Sequence, residues 1–309
     1  LLGPDHKDRL RLVASIKDFG EKELGLSVTG NYQTVYLESR QPPIYTISAS
    51  PKDRLARVTW WFPIVGRMPY LGFFDLEGAR EKRTELEGEN LDVNIGMAVA
   101  YSTLGWFDDP VTLNLLEGST VDLIETILHE MTHTTIYAAG QGEFNEGLAN
   151  LLGKVGAISF TEKTYGPFHP HTLEAKKNLD DERTFSSFLS SFLDRLELLY
   201  NSPAGFQEKL KERERVFVFA LQEFAHIRDM LQTDRYTGFG SHGLNNAYLM
   251  SISLYNQHFH LFEELLERKD GSIREMLSFF HAFRQNDTDM LAEMRGWLNR
   301  TSLPQPGYP

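Results

Sequence analysis

Residues 119–150 read STVDLIETILHEMTHTTIYAAGQGEFNEGLAN, and the rest of the chain is expected to be arranged around this segment. Ser119 and Asp122, three residues apart, resemble a capping box and predict the start of a helix. Gly140 supplies a left-handed stop and predicts the end of that helix. Apolar residues recur at helical spacing between these signals, at Val121, Leu123, Ile124, Ile127, Leu128, Met131 and Ile136. The pattern therefore predicts a buried amphipathic helix.

This predicted helix carries an H-E-x-x-H sequence at residues 129–133. His129 and His133 share one face because residues four apart stack along a helix. Two imidazoles so placed predict a zinc site, in which Glu130 is the general base for a water molecule on the metal. The alternative is that these side chains only pack or face solvent. We disfavour it because polar groups in an apolar helix are costly without partners.

A third metal ligand is predicted in the segment that follows. A turn from Gly140 to Gly142 reverses the chain, so that a second helix can face the first. Glu146, near the start of that helix, would complete a tetrahedral site and leave one position for water. Glu143 is the competing ligand, but it lies nearer the turn, and Glu146 is preferred. The predicted cofactor is one Zn²⁺ ion held by the two histidines and Glu146.

The composition restricts the class of protein. With 309 residues, 41% of them hydrophobic, the chain can bury a large core in one large domain or two packed ones. The net charge of −12 argues against nucleic acid as a partner, and no apolar run reaches the length of a membrane span. Without cysteine, any metal must be held by histidine and carboxylate side chains. The start at Leu1, without methionine, leads us to expect that a targeting segment has been removed.

The order of elements predicts an α+β fold that is predominantly helical. An N-terminal lobe, residues 1–112, is expected to combine a first helix, a small mixed β-sheet layer and a polar helix over residues 76–87. The second lobe, residues 113–309, is predicted to be helical and to bind the zinc ion. Its later elements are expected as helices over 143–154, 181–200, 204–231 and 244–267, with a loop over 160–172 and a break near His258.

The H-E-x-x-H helix and the segment after it resemble the gluzincin branch of zinc metallopeptidases. In gluzincins the third ligand lies in an Asn-Glu motif, which corresponds to Asn145-Glu146 here. Some gluzincins have an aspartate four residues after that glutamate, where it orients a zinc-bound histidine. This chain has Asn150 at that position, a weaker acceptor for such a role. The resemblance implies a zincin-like fold with the active-site helix between the two lobes.

Blocks on both sides of the predicted metal helix extend the resemblance. They resemble a bacterial family described as putative aminopeptidases, from about residue 8 to about residue 290. The blocks are WFPIVG at 61–66, YLGFF at 70–74, YSTLGWFDDP at 101–110 and LNNAYL at 244–249, with Tyr255 after them. The resemblance implies hydrolysis of peptide substrates at one zinc ion. It also implies an extracytoplasmic protein, periplasmic or held at the envelope by a lipid anchor on the removed N terminus.

The resemblance implies roles for particular residues. Glu130 would take a proton from the zinc-bound water and return it to the leaving amine. Tyr255, which matches the family, is the first candidate to stabilise the oxyanion of the tetrahedral intermediate. Sequence position alone suggests the other two candidates: Tyr137, one turn beyond His133, is the second, and His242, in a glycine-rich loop, is the third. One edge of the cleft would pair with an extended substrate backbone, and it is expected at Tyr101, Ser102, Thr103 and Leu104.

Exopeptidase and endopeptidase action both stay open. An aminopeptidase needs an anionic side chain to bind the α-amino group of the substrate. The acidic residues near the predicted cleft and metal helix are Asp108, Asp109, Glu125 and Glu143. The alternative to an enzyme is a catalytically inactive, zinc-stabilised binding or scaffold protein of the cell envelope. The intact Glu130 favours the enzyme, because a structural zinc site needs no base beside its ligands. A second metal is not predicted, since no carboxylate pattern accompanies the other paired histidines, His169, His171, His258 and His260.

Overall fold

The computed structural model of the chain describes residues 4–27, 30–32, 34–36, 44–63, 66–98, 111–283 and 288–301. It has the α+β, predominantly helical fold that the sequence predicts. The division into two lobes at residue 112 stays a prediction. No helix in these described ranges is long and apolar enough to cross a membrane.

All the described strands lie between residues 35 and 112, where helix α2 interrupts them, and the chain after them is helical. The strands are β1 (Val35–Tyr36), β2 (Ile44–Pro51), β3 (Trp60–Phe62), β4 (Gly66–Met68), β5 (Leu71–Phe73), β6 (Leu91–Ala98) and β7 (Val111–Thr112). The helices are α1 (Pro4–Phe19), α2 (Leu76–Gly88), α3 (Leu113–Glu117), α4 (Thr120–Thr135), α5 (Gly142–Tyr165), α6 (Pro170–Tyr200), α7 (Phe206–Arg228), α8 (Asn246–Asn256), α9 (Phe259–Glu267), α10 (Ile273–Phe283) and α11 (Met290–Thr301).

In the described part of the chain the strands form three small sheets. The largest is antiparallel, in the order β5-β2-β6, and α2 packs on it through Ala79 and Leu86. Strands β3 and β4 form an antiparallel pair, whereas β1 and β7 pair in parallel. Parallel and antiparallel pairing both occur, but in separate sheets. The sheet layer is therefore small, and the helices contribute most of the core.

Helix α4 lies at the centre of the largest core cluster. Its predicted cap is confirmed, since Ser119 Oγ accepts a hydrogen bond from the Asp122 backbone N–H at 3.0 Å. The predicted apolar face is also confirmed, because all seven of its residues are buried. Each fully buried leucine or isoleucine stabilises the fold by about 1.5–3 kcal/mol. This burial holds α4 in place although it also carries two histidines and two glutamates.

Helix α5 is longer than the sequence predicts, and the predicted loop over residues 160–172 is wrong. The helix continues to Tyr165 and stops at Gly166, which has a positive φ of 97°. Only four residues separate it from α6, where His169 is the N-cap and Pro170 the first helical residue. A lysine and a glycine that favour an earlier end of α5 are instead buried within the helix. Lys154 is 3% exposed, and Gly156 packs against Leu128 of α4.

Helix α8 joins the largest sheet to the helical part of the molecule. At its N terminus Asn245 Nδ2 donates to the Val93 carbonyl of β6 at 3.0 Å, and its Oδ1 accepts from the Tyr248 N–H at 2.8 Å. Asn246 donates its backbone N–H to Asp92 of the same strand at 2.9 Å. The predicted break is present, since α8 ends at Asn256 and α9 begins at Phe259. This anchored helix places the Tyr255 ring near His129 of α4.

Candidate metal centre

Three side chains from α4 and α5 converge at one point, the candidate metal centre. His129 Nε2 lies 3.1 Å from His133 Nε2, and Glu146 Oε2 lies 3.3 Å and 3.6 Å from these two atoms. Nitrogen and oxygen ligands 2.0–2.2 Å from a tetrahedral ion lie roughly 3.3–3.6 Å from one another. The three atoms therefore have the type and spacing to hold one metal ion. Within the described residues no other group of three such side chains comes close enough to do so.

Close packing of the two helices produces this convergence. A Cβ atom added to Gly153 of α5 would lie 2.8 Å from the Glu125 carbonyl oxygen and 3.4 Å from His129 Cβ. A Cβ atom on Gly156 would lie 2.7 Å from Leu128 Cδ1. Glycine at these positions lets the backbone of α5 pass directly beside the histidine-bearing part of α4. Glu146 is thereby brought within reach of both imidazoles.

The loop between the helices is held by Asn145, the neighbour of Glu146. Asn145 is 3% exposed, and its side chain makes two hydrogen bonds to one residue of the loop. The Ala138 N–H donates to Asn145 Oδ1 and Asn145 Nδ2 donates to the Ala138 carbonyl, both at 2.8 Å. The predicted end of α4 at Gly140 is wrong, because this loop begins before Gly140. The helix ends at Thr135, Ile136 is extended, and Gly140, with a φ of 76°, lies within the connecting turn.

We expect Asn145→Ala to destabilise the protein by about 1–3 kcal/mol, because the Ala138 N–H and carbonyl lose their partners. Zinc affinity should fall roughly 10- to 100-fold, as it does when a supporting residue of a metal ligand is lost. Urea unfolding and competition with a zinc chelator measure the two effects. Asn150→Ala is the matched control. Its Nδ2 makes one exposed bond, to the Tyr255 carbonyl at 3.1 Å, so a loss of stability as large as that of Asn145→Ala would contradict this account.

Opposite charges shift the pKa values of two of these side chains, Glu146 and His133. Burial alone would raise the pKa of Glu146, but His133 and His129 outweigh it and hold the pKa well below its usual range. Burial alone would lower the pKa of His133, but the negative charge of Glu146 and its hydrogen bond raise the pKa above its ordinary value. The Glu146 carboxylate is thus ionised at neutral pH, as a metal ligand must be.

Glu130 lies beside the two histidines and has an unsatisfied oxygen. Its Oε2 is buried and makes no hydrogen bond within the described part of the chain, which is costly for a carboxylate. With His129 and Tyr255 it lines a cavity of about 260 Å³. A carboxylate side chain that lines an open cavity is suited to accept a proton from a molecule held there.

Three tyrosines surround the same centre. The Tyr255 ring centroid is 6.2 Å from that of His129, and the negative charge of Glu146, followed by burial, raises the pKa of Tyr255 well above its ordinary value. Tyr137 follows α4, and burial and the Glu146 charge raise its pKa as well. Tyr70, between β4 and β5, is the third. Burial, then the charges of Glu146 and Glu130, raises the pKa of Tyr70 to about 12, so all three phenols remain protonated donors at neutral pH.

Sequence reasoning assigned no role to Tyr70 or Arg57, although both line the larger cavity beside the centre, of about 490 Å³. Tyr70 belongs to the YLGFF block, and that was the only available signal. Arg57 has no motif around it. Arg57 is brought to this cavity by its ion pair with Glu143 of α5, which is distant in sequence.

The remaining residues that the sequence predicts for the site lie outside the group of His129, His133 and Glu146. Glu143, the competing ligand, pairs with Arg57 and lies 3.3 Å from His258 Nε2, outside the three-residue group. His242 is exposed in its loop, with its Nδ1 2.9 Å from Ser241 Oγ, and is not brought to the centre. Asn150 donates a hydrogen bond to the Tyr255 carbonyl, and in the described ranges it makes no hydrogen bond to a histidine. The predicted cleft edge, Tyr101, Ser102, Thr103 and Leu104, and the acids Asp108 and Asp109 lie outside the described residues.

Comparisons with known proteins give one match. A family model described as "Putative aminopeptidase" matches residues 2–295, nearly the whole chain. No curated protein matches the chain, and no solved structure does.

Proposed function

The chain belongs to the putative aminopeptidase family, and from this premise we propose that it is a zinc-dependent peptidase that removes residues from the amino termini of peptides. The observation that carries the proposal is the triangle of His129, His133 and Glu146 ligand atoms, with the buried Glu130 Oε2 beside it. A structural metal site has no use for a carboxylate left unsatisfied next to its ligands. The arrangement favours catalysis, on a zincin-like fold with the active-site helix at its centre.

His129, His133 and Glu146 would hold the ion. Zinc bound to such a set supplies Lewis-acid chemistry, which makes water a stronger nucleophile and polarises a carbonyl group. Among the side chains of this protein, Glu130 moves the proton. Its carboxylate would accept a proton from the attacking water, hold it within the site, and donate it to the nitrogen of the leaving amine.

The tyrosine hydroxyls supply hydrogen bonds to the reacting carbonyl. Tyr255 is the foremost of them because its ring lies next to His129 and it lines the same cavity as Glu130. A protonated phenol can donate to the carbonyl oxygen as negative charge develops on it. Tyr137 and Tyr70 line the larger cavity together with Glu146. They are suited to orient the substrate.

We expect Tyr255→Phe to lower kcat roughly 10²-fold or more, as the loss of one oxyanion donor does, with little change in zinc content. The ring and its packing are kept, so the folded protein should be equally stable. Steady-state kinetics with a chromogenic aminoacyl substrate measure the effect. Tyr137→Phe is the control, for which we expect a smaller loss. A Tyr255→Phe enzyme with the kcat of wild type would remove Tyr255 from the mechanism.

The proposed function is tested with the zinc-loaded protein and a mixed peptide library, with every cut mapped by mass spectrometry. Stepwise trimming from free amino termini supports the aminopeptidase. Internal cuts would instead identify an endopeptidase. A zinc-loaded protein that makes no cut would favour the alternative of a zinc-stabilised binding or scaffold protein. The extracytoplasmic location and the lipid anchor that the resemblance implies stay predictions, and fractionation of cells that express the full-length gene tests them.

A further inference from the structure

A carboxylate on α5 is held in a fixed orientation one helical turn before Glu146. Glu143 pairs through Oε1 with Arg57 Nη1, and its Oε2 lies 3.3 Å from His258 Nε2. Residues three apart on a helix lie on the same side, with about 5–6 Å between their Cβ atoms. Glu143 therefore lies close to the metal ligand Glu146 without belonging to the ligand group.

The arginine of this pair, Arg57, also makes hydrogen bonds to two residues of α8. Arg57 Nε donates to the Met250 carbonyl at 3.0 Å, and Arg57 Nη2 donates to Ser253 Oγ at 2.6 Å. The side chain of Arg57 is 17% exposed, whereas that of Glu143 is 32% exposed. The member of the pair that remains accessible is therefore the carboxylate. Arg57 acts as a brace that fixes the direction of the Glu143 carboxylate.

The exposed side of Glu143 faces a cavity that reaches the candidate metal centre. Glu143 and Glu146 both line the cavity of about 490 Å³, together with Tyr70 and Tyr137. This volume is large enough for the end of a peptide. The hydrogen bond from His258 and the pairing with Arg57 lower the pKa of Glu143 to about 2, although burial opposes them. The group is consequently negative throughout the physiological range.

We propose that Glu143 binds the α-ammonium group of the substrate, an inference that rests on the proposed peptidase function. Each carboxylate oxygen has two acceptor positions, so Oε1 and Oε2 can each accept a further N–H donor after Arg57 and His258. An α-ammonium group supplies three such donors. It is separated from the first peptide carbonyl by a single Cα atom, and one helical turn separates Glu143 from Glu146. An anchor at this position sets the first peptide bond at the metal centre.

The experiment measures binding separately from hydrolysis, in the zinc-loaded Glu130→Gln protein. The probes are alanyl-alanyl-alanine amide and its N-acetylated form, titrated by calorimetry. The amide removes the C-terminal carboxylate, which Arg57 or Arg67 would otherwise attract. We expect the free peptide to bind roughly 10- to 100-fold more tightly than the acetylated one, the range for a charge-assisted hydrogen bond. Adding Glu143→Gln should bring the ratio of the two affinities close to one.

Glu223→Gln is the matched control, because Glu223 is also a partly exposed carboxylate paired with an arginine, Arg195, on helices away from the centre. The ratio should stay at its parent value in that variant. If Glu143→Gln does not fold, Glu143→Asp keeps the charge next to Arg57 but withdraws it from the cavity, and should lower the ratio. An unchanged ratio in the Glu143 variants, or no preference for the free peptide in the parent, overturns the proposal. Free-peptide preference without hydrolysis by wild type would contradict the proposed function but not the anchor.

Discussion

Glu130→Gln should bind zinc as tightly as wild type and lose roughly 10³- to 10⁴-fold in kcat/KM for peptide hydrolysis, the upper range for a general acid–base residue. The substitution keeps the shape of the side chain and removes its ability to accept the proton of water. Glu130 is not one of the three ligand residues, so the metal should remain. Peptide kinetics and metal analysis of the same preparation measure the two effects. The expected result separates a catalytic carboxylate from a ligand.

Glu162→Gln is the control for this variant, since Glu162 lies on the surface of α5 in an exposed pair with Lys176. Its kinetics should equal those of wild type. Turnover by Glu130→Gln at the wild-type rate would contradict the proposed mechanism. A large loss of zinc in Glu130→Gln would show instead that the carboxylate supports the ligand set, and the kinetic loss could no longer be assigned to proton transfer.

His129→Ala should lower zinc affinity roughly 10²- to 10³-fold, because one of three protein ligands is lost from a site whose total binding free energy is about 10–16 kcal/mol. The side chain of His129 lines the cavity of about 260 Å³, so its removal enlarges that cavity and does not open a new void in the core. Activity should fall with the zinc content. Competition with a chromophoric chelator measures the affinity, and circular dichroism checks the fold.

His171→Ala is the histidine control. His171 lies among aromatic neighbours at the start of α6, with its ring centroid 4.9 Å from that of His169, and belongs to no metal-binding group in the described residues. Zinc affinity should be unchanged in this variant. Equal losses in both histidine variants would mean that the metal is not held by the three-residue group.

The features predicted from the sequence are those that local patterns determine. The cap at Ser119, the apolar face of α4 and the juxtaposition of His129 and His133 depend only on helical periodicity. The approach of Glu146 also follows, because a glycine-containing turn between two helices brings neighbouring segments together. The contact between α4 and α5 can therefore be predicted from this one segment of sequence, without the rest of the fold.

The features that sequence reasoning missed depend on distant residues. Lys154 reads as a polar position that ends a helix, but in the fold its Nζ lies 3.5 Å from Glu125 Oε2 and 3.2 Å from Glu182 Oε2. A buried charge is tolerated when it is paired in this way. Tyr70 and Arg57 reach the centre from the sheet-containing part of the chain. No periodicity connects any of these residues to α4, and the tertiary fold alone brings them together.

In the proposed mechanism one zinc ion, held by His129, His133 and Glu146, is required for peptide cleavage. The most direct test removes all metal with a chelator, dialyses the protein, and titrates zinc back while peptide trimming is followed by mass spectrometry. We predict no cleavage by the metal-free protein and full recovery at one zinc ion per chain. Cleavage at the original rate without metal, or full zinc loading without any cleavage, would contradict the claim.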